Sequence, residues 1–312
     1  MKSAMQWRKM GRILEPMPTH EWLASSAGPS YCFAEGIEDV SEVPVYVTGR
    51  DRRGRSHIGL VYLNPGAAKI THIIDTPVLS LGEEGTFDQN GTGYPCLVRQ
   101  LDGTIRMYYT GWMPTVLVPW QNDLGLATSR DGISFTRYSR APIMPRTDQE
   151  HLGIGSVHVI HEDALWRIWY TCFERWQIPS PQRHWYDIRQ AESDDGLVWR
   201  RPGVLAVTYE REGEYVLGRP FVVRSRDLYL MWYSFRGSAY RIGLAISSDG
   251  KTWTRRDDCA GIDVSADGWD SEMVCYANVF RWRGTWYMLY NGNGYGRSGL
   301  GLALLVHNEM LV

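Results

Sequence analysis

Four carboxylic acids recur at matching places in the sequence: Asp88 in "FDQNG", Glu150 in "QEHLG", Glu214 in "GEYVL" and Asp270 in "WDSEM". Each precedes an apolar run, and they lie 22, 21, 20 and 21 residues, respectively, ahead of Thr110, Thr171, Ser234 and Asn291. If such acids face one pocket they repel, so that some stay protonated near neutrality while others ionise. A protonated acid beside an ionised partner is what cleavage of a glycosidic bond uses: one carboxyl protonates the leaving oxygen, the other acts as base or nucleophile. Aromatic residues near the same loops, Tyr94, Trp112, Trp176 and Tyr276, are suited to stacking on sugar rings. Arg189 and Arg219 stand where related segments have small or neutral residues. An inward Arg needs an anionic partner, either an acid of the protein or a carboxylate or phosphate on a substrate.

Whether these residues meet depends on the elements that carry them. The segments "VYVTGR", "MYYTGW", "IWYTCF", "MWYSFR" and "MLYNGN" align on Thr48, Thr110, Thr171, Ser234 and Asn291, at spacings of 62, 61, 63 and 57 residues. A second apolar strand follows each, and three of these run into a shared turn: "SRDGISF", "SDDGLVW" and "SSDGKTW". In that turn Ser and Asp bond nearby backbone, Gly takes positive φ, and the aromatic is placed to pack between neighbouring sheets, so Trp199 and Trp253 read as core. A further apolar strand precedes each repeat, as in "PCLVRQ" and "PFVVRS". Four short strands over about 60 residues, five times over, predict an all-β fold: a five-bladed β-propeller forming a single domain over residues 1–312. The fifth unit lacks its fourth strand, and "WRKMGRIL" (7–14) matches "WRRPGVLA" (199–206). The N-terminal strand is therefore expected to close the last blade.

Composition narrows the class of partner. With 33 basic and 35 acidic residues the net charge is −2 at pH 7, and no long basic run is present, which argues against nucleic acid or an anionic membrane surface. The start of the sequence has no apolar signal region, and the five cysteines show no C-x-x-C spacing, so unpaired thiols and a cytoplasmic location are expected. His151, His158, His161 and His184 have no metal-ligand pattern, and the Gly-rich stretches do not sit between a strand and a helix. Neither a metal nor a cofactor is expected, and the partner is a small molecule or oligosaccharide.

The repeats, turns and entrance acids together resemble the five-bladed propeller glycosidases of glycoside hydrolase families 32, 43, 68 and 130. The segments "TGRDRRGRSHIGLVYL", "GTFDQNG", "IRQAESDDGLVW", "WDSEMVCYANVF" and "MLYNGNGYG" are similar to uncharacterised glycosidase-like propellers of bacterial polysaccharide loci. The resemblance implies a hydrolase whose acids come from the first three blades: a base or nucleophile, a pKa-tuning Asp and a Glu acid. Asp88 matches the second-blade Asp and Glu150 the third-blade Glu, the general acid. The first-blade entrance, "SSAGPSYCF" (25–33), carries no acid, and Glu35 and Asp51 are offset from it. Glu214 or Asp270 would then have to supply the base. Two alternatives stay open: a glycan-binding propeller without chemistry, and a biosynthetic transferase, lyase or cyclase on the same scaffold.

Overall fold

The computed structural model describes residues 5–36, 40–178, 183–308 and 310–311, and is all-β apart from three short 3-10 turns. The protein opens with β1 (Met5–Leu14). It continues through β2 (Ser26–Cys32), β3 (Val43–Arg50), β4 (Ser56–Asn64) and β5 (Lys69–Ile73). Next come β6 (Gly91–Arg99), β7 (Ile105–Pro114), β8 (Trp120–Ser129) and β9 (Thr136–Arg137). They are followed by β10 (Ile154–Glu162), β11 (Leu165–Gln177), β12 (Arg183–Ser193) and β13 (Leu205–Val207). The last two sets are β14 (Val216–Ser225), β15 (Leu228–Arg236), β16 (Tyr240–Ser247) and β17 (Thr254–Arg255), then β18 (Cys275–Trp282), β19 (Thr285–Asn291) and β20 (Leu300–Asn308).

Among the described residues these strands pair as five antiparallel groups of four, the fifth being β18-β19-β20-β1. Single parallel bridges, Ser56↔Gly91 and Tyr186↔Val216, join the first group to the second and the third to the fourth. The leading strands touch in sequence, β2 on β6, β6 on β10, β10 on β14, β14 on β18, and β18 back on β2. Burial follows position in the group. β3 is almost wholly buried, because sheets lie on both of its faces, whereas the outermost strand β5 is largely exposed.

The shared turn forms as its residues dictate. In each copy the Ser hydroxyl caps the Gly N–H, the Asp carboxylate accepts two backbone N–H groups, and the glycines (Gly132, Gly196 and Gly250) have φ of 70–75°. The aromatic that follows packs edge-on against the preceding group: Phe135 on Tyr46, Trp199 on Tyr108 and Trp253 on Trp169, with Trp7 of β1 repeating the contact on Trp232. Tyr46, Tyr108 and Trp169 each donate a hydrogen bond to the carbonyl of the next turn's glycine. All five cysteines are buried and unpaired. No helix among the described residues is long and apolar enough to cross a membrane.

β1 pairs with β20 from Met5↔Asn308 to Leu14↔Leu300 and buries Met5, Trp7 and Leu14 in the adjoining cores. Removing residues 1–15 should therefore expose a strand edge and two apolar clusters. The expected outcome is loss of the cooperative thermal transition, or insoluble expression, read by circular dichroism. A truncated protein that melts at the full-length temperature would contradict this.

Candidate functional site

The four recurring acids are not gathered into one pocket. Each is enclosed by a cation from the outer part of its own group, and three of them also accept from a tyrosine of the second strand. Asp88 is 1% exposed and accepts from the Tyr109 hydroxyl at 2.9 Å, Arg137 Nε at 2.8 Å and Thr86 Oγ1 at 2.9 Å. Glu150 accepts from the Tyr170 hydroxyl at 2.6 Å and Arg201 Nη1 at 2.8 Å. Glu214 receives both Nη atoms of Arg255 at 2.7 Å, while Tyr233 turns to the adjacent Asp257. Asp270 accepts from the Tyr290 hydroxyl at 3.0 Å and pairs with Lys9 Nζ at 2.7 Å. Burial alone would raise the pKa of Glu214 and Asp270. The hydrogen bonds from Arg255 and from Lys9, Ser265 and Tyr290 outweigh it and hold both below the usual carboxylate range.

The first group explains why no acid appears in "SSAGPSYCF". Trp22, Phe87 and Trp269 cover Gly49, Gly111 and Gly292, leaving no room there for a Cβ. The residue after each is Leu23, Asp88 and Asp270. Val47 occupies the tyrosine position, and Ile73 pairs with Val61 as Arg137 pairs with Ala127 and Arg255 with Ala245. Leu23, Val47 and Ile73 lie in one apolar cluster. Acid, tyrosine and cation are thus replaced together by three hydrocarbons. The cation had a sequence signal: it stands two residues after the aromatic of the turn, as in Phe135/Arg137, Trp199/Arg201, Trp253/Arg255 and Trp7/Lys9.

The leading strands build a different constellation. Each carries a register shift near its start, between Ala27 and Ser30, Gly93 and Cys96, Ile154 and Val157, Gly218 and Phe221, and Cys275 and Asn278. In three of these bulges a non-glycine residue adopts left-handed backbone: Tyr94 (φ 52°), Arg219 (φ 53°) and Tyr276 (φ 62°). The hydroxyls that define the repeat hold them there. Thr48 Oγ1 accepts from Tyr94 N at 2.9 Å, Thr171 Oγ1 and Ser156 Oγ accept from Arg219 N at 3.3 and 3.0 Å, and Ser234 Oγ accepts from Tyr276 N at 2.9 Å. Asn291 Nδ2 donates to Ala27 O at 2.8 Å, tying the last group to the first.

These three side chains do come together. The Arg219 guanidinium lies 5.7 Å from the Tyr94 ring centre, and Tyr94 meets Tyr276 edge-on at 5.7 Å. Tyr276 continues to Tyr240, which touches Tyr295 and shares a hydroxyl–hydroxyl hydrogen bond with Tyr186. Below them Arg219 is 2% exposed and donates across the centre to Ser30 O at 2.9 Å. Burial and the charge of Arg219 push His158 down to about 3, so this neighbour is neutral.

The remaining sequence candidates have partners of their own. Trp176 joins Phe173, His184 and Tyr186 of the β11–β12 hairpin and Trp120 of β8 in an aromatic wall. Trp112 bonds Ser56 Oγ through Nε1 at 2.7 Å, with the Arg50 guanidinium 5.3 Å from its ring centre. Arg189 is paired internally, with Nε 3.1 Å from Asp187 Oδ1 and Nη1 3.7 Å from Glu150 Oε1.

Sequence reading missed Asp187. It follows Tyr186 of the wall on β12, and burial, reinforced by a hydrogen bond to Glu174 and opposed by Arg189, pushes it up to about 7. Glu174 is exposed and also accepts from the Tyr209 hydroxyl at 3.2 Å. A partial signal was present in the third strands, where His57, Asp123, Asp187 and Arg241 occupy matching positions in successive copies. Asp123 too is raised by burial, with Arg146 3.8 Å away.

This architecture is that of the propeller glycoside hydrolases, with family-43 and GH32 enzymes among its structural matches. The fold matches a solved BT0996 RGII complex with a TM-score of 0.78 at 19% identity, covering 99% of this protein and 94% of that one. A solved glycoside hydrolase matches with a TM-score of 0.75 at 18% identity, covering 97% of this protein and 91% of that one. In sequence, the protein is 38% identical over 308 residues to the uncharacterized protein Rv1502 of Mycobacterium tuberculosis, covering 96% of this sequence and 99% of that one, and it belongs to the same family. No family model matches.

The buried pairs set a stability test. A group whose folded pKa is depressed contributes stability above its unfolded value, near 4.3 for Glu, and loses it as pH falls through the folded value. Wild-type stability attributable to Glu214 is therefore full at pH 7 and fades below about pH 4. Arg255→Met leaves Glu214 and Asp257 without their main cation, and breaking such a buried pair costs about 3–5 kcal/mol. Urea unfolding should show that loss at pH 7 and a smaller one at pH 3.5. An equal loss at both pH values would contradict the ion-pair origin of the effect.

Proposed function

We propose that the five strand groups are the blades of one closed propeller domain, and that the protein is a carbohydrate-active enzyme of glycosidase type. The convergence of Tyr94, Arg219 and Tyr276 carries this reading. Non-glycine residues in left-handed backbone cost on the order of 1–3 kcal/mol each and tend to persist at ligand sites. Here three of them face one centre and are held by hydroxyls from neighbouring groups. Tyrosine faces at the mouth, with Trp120 and Trp176 on the wall beside them, suit the apolar faces of a saccharide. Together with the glycoside hydrolase fold they support a small glycoside, oligosaccharide or activated sugar as substrate. Five unpaired thiols fit a reducing compartment, and a cytoplasmic location remains our reading.

In this reading the repeated acids Asp88, Glu150, Glu214 and Asp270 latch loops to outer strands, and proton transfer falls to the Asp187–Glu174 pair. Asp187 keeps a proton up to near neutrality because it is buried, and the exposed Glu174 beside it on β11 is placed to meet a leaving oxygen. Glu150 stands behind Arg189 and Arg201, both oxygens occupied. The second reading, a glycan-binding propeller without turnover, is favoured by one observation: each repeated acid is already matched by its own cation.

The test is a screen of aryl glycosides and sugar nucleotides, followed by a pH profile on whichever turns over. A raised pKa means the acid form is present below about 7 and lost above it, so kcat/KM should fall on the alkaline side with an apparent pKa near 7. Asp187→Asn and Glu174→Gln should each lower kcat by about 10²–10⁴-fold, with less effect on substrates whose leaving group needs no proton. Turnover unchanged in both variants would remove the pair from the mechanism. Saccharide binding without turnover would favour the binding reading.

A further inference from the structure

Every repeated acid is neutralised by a cation of its own, whereas the arginines around the tyrosines have no such partner. Arg236 ends β15 with its guanidinium 5.5 Å from the ring centres of Tyr215 and Tyr240 and 5.9 Å from that of Tyr295. Its Nε is buried and has no hydrogen-bond partner. Arg183 lies 5.3 Å from the same Tyr215 ring, so two like charges flank one phenol. Arg219 sits below, fully enclosed, its Nε also unpartnered, and the titratable groups that feel its charge, Cys96, Tyr94, Tyr31, Tyr276 and His158, include no carboxylate. Among the described residues none of these three arginines forms an ion pair with a carboxylate, although seventeen others, from Arg12 to Arg256, do. The charge is felt locally: burial and then Arg236 push His184 down to about 4, so no protonated histidine adds to it.

Cation–π contact with a phenol offsets only part of the cost of drying a guanidinium, and two guanidiniums at one ring repel each other. The arrangement is favourable once an oxyanion sits between them, because the planar fork of Arg matches carboxylate and phosphate oxygens. We propose that the mouth selects an anionic saccharide, a sugar acid or sugar phosphate, whose oxyanion is bound by Arg236 with Arg183 at the rim, while Arg219 supplies positive field from beneath. This rests on the mouth being the saccharide site, and it narrows the substrate class to charged sugars.

The experiment is calorimetric titration of the full-length protein with galacturonate against galactose, glucose 1-phosphate against glucose, and inorganic phosphate alone. Each charged sugar should bind at least about tenfold more tightly than its neutral counterpart, as hydrogen bonds to a charged group imply. Arg236→Met should abolish that preference, and rim variant Arg183→Met should reduce it, with melting temperatures confirming that both fold. Preference for the carboxylate or for the phosphate identifies which oxyanion is natural. Phosphate binding that Arg236→Met removes, with no sugar bound by any form, would leave the anion site standing and sink the saccharide reading. Equal affinity for charged and neutral sugars, or a preference that survives both substitutions, or no binding of any anion, would overturn the proposal.

Discussion

One hydrogen bond organises the centre of this protein: a side-chain hydroxyl or amide of the second strand reaching across to the bulge of a neighbouring group's leading strand. Thr48, Thr171 and Ser234 accept the N–H of Tyr94, Arg219 and Tyr276, and Asn291 ties the fifth group to Ala27 of the first, while Thr110 of the second group makes no such bond. A backbone N–H at a bulge has left its ladder, and unpaired inside the molecule it would be costly, so the hydroxyl stabilises the bulge itself. The bulge in turn forces left-handed backbone on the residue that carries the N–H. Glycine would take that conformation without strain, yet these positions hold tyrosine and arginine, whose side chains are thereby aimed at one another.

A second constraint separates charge by radius. Inner and outer parts of each group meet through the acid–tyrosine–cation latch, whose acids are buried and paired in the second to fifth groups. Where the first group drops one component it drops all three, putting Leu23, Val47 and Ile73 in their place. A lone buried acid or arginine would be far less stable than either the complete set or none. With the acids so engaged, the tyrosine cluster is left with phenols and with the guanidinium groups of Arg219 and Arg236, which have no carboxylate partner, and the buried Asp187 lies on the β11–β12 hairpin beside Tyr186.

Much of this is legible in the residues. The Thr/Ser/Asn repeat and the S-x-D-G turn locate the strands, and the "WRKMGRIL" match places β1 on β20, where the structure has it. Tyr94, Arg219 and Tyr276 stand out by position and do converge. The entrance acids can be located along the sequence but their direction cannot, because strand alternation gives a face only when the register is regular. The bulges break that regularity, and the latch cation, encoded two residues past each turn aromatic, lies on a strand paired from the far side of the group. Asp187 escapes because its position in the alignment holds His57, Asp123 and Arg241 in the first, second and fourth groups, so no single residue type recurs throughout. Its raised pKa comes from burial and from Glu174, which sits on another strand.

The most direct measurement is a crystal structure of the protein soaked with an oligosaccharide that it binds. A sugar ring is expected against Tyr186 and Tyr295, the more exposed members of the tyrosine cluster, alongside the wall of Trp120 and Trp176 and within reach of Glu174. Density instead in the outer cleft of about 470 Å³ bounded by Arg167, Trp169, Gln190, Arg201 and Lys251, with the tyrosines untouched, would contradict the assignment of the mouth as the saccharide site.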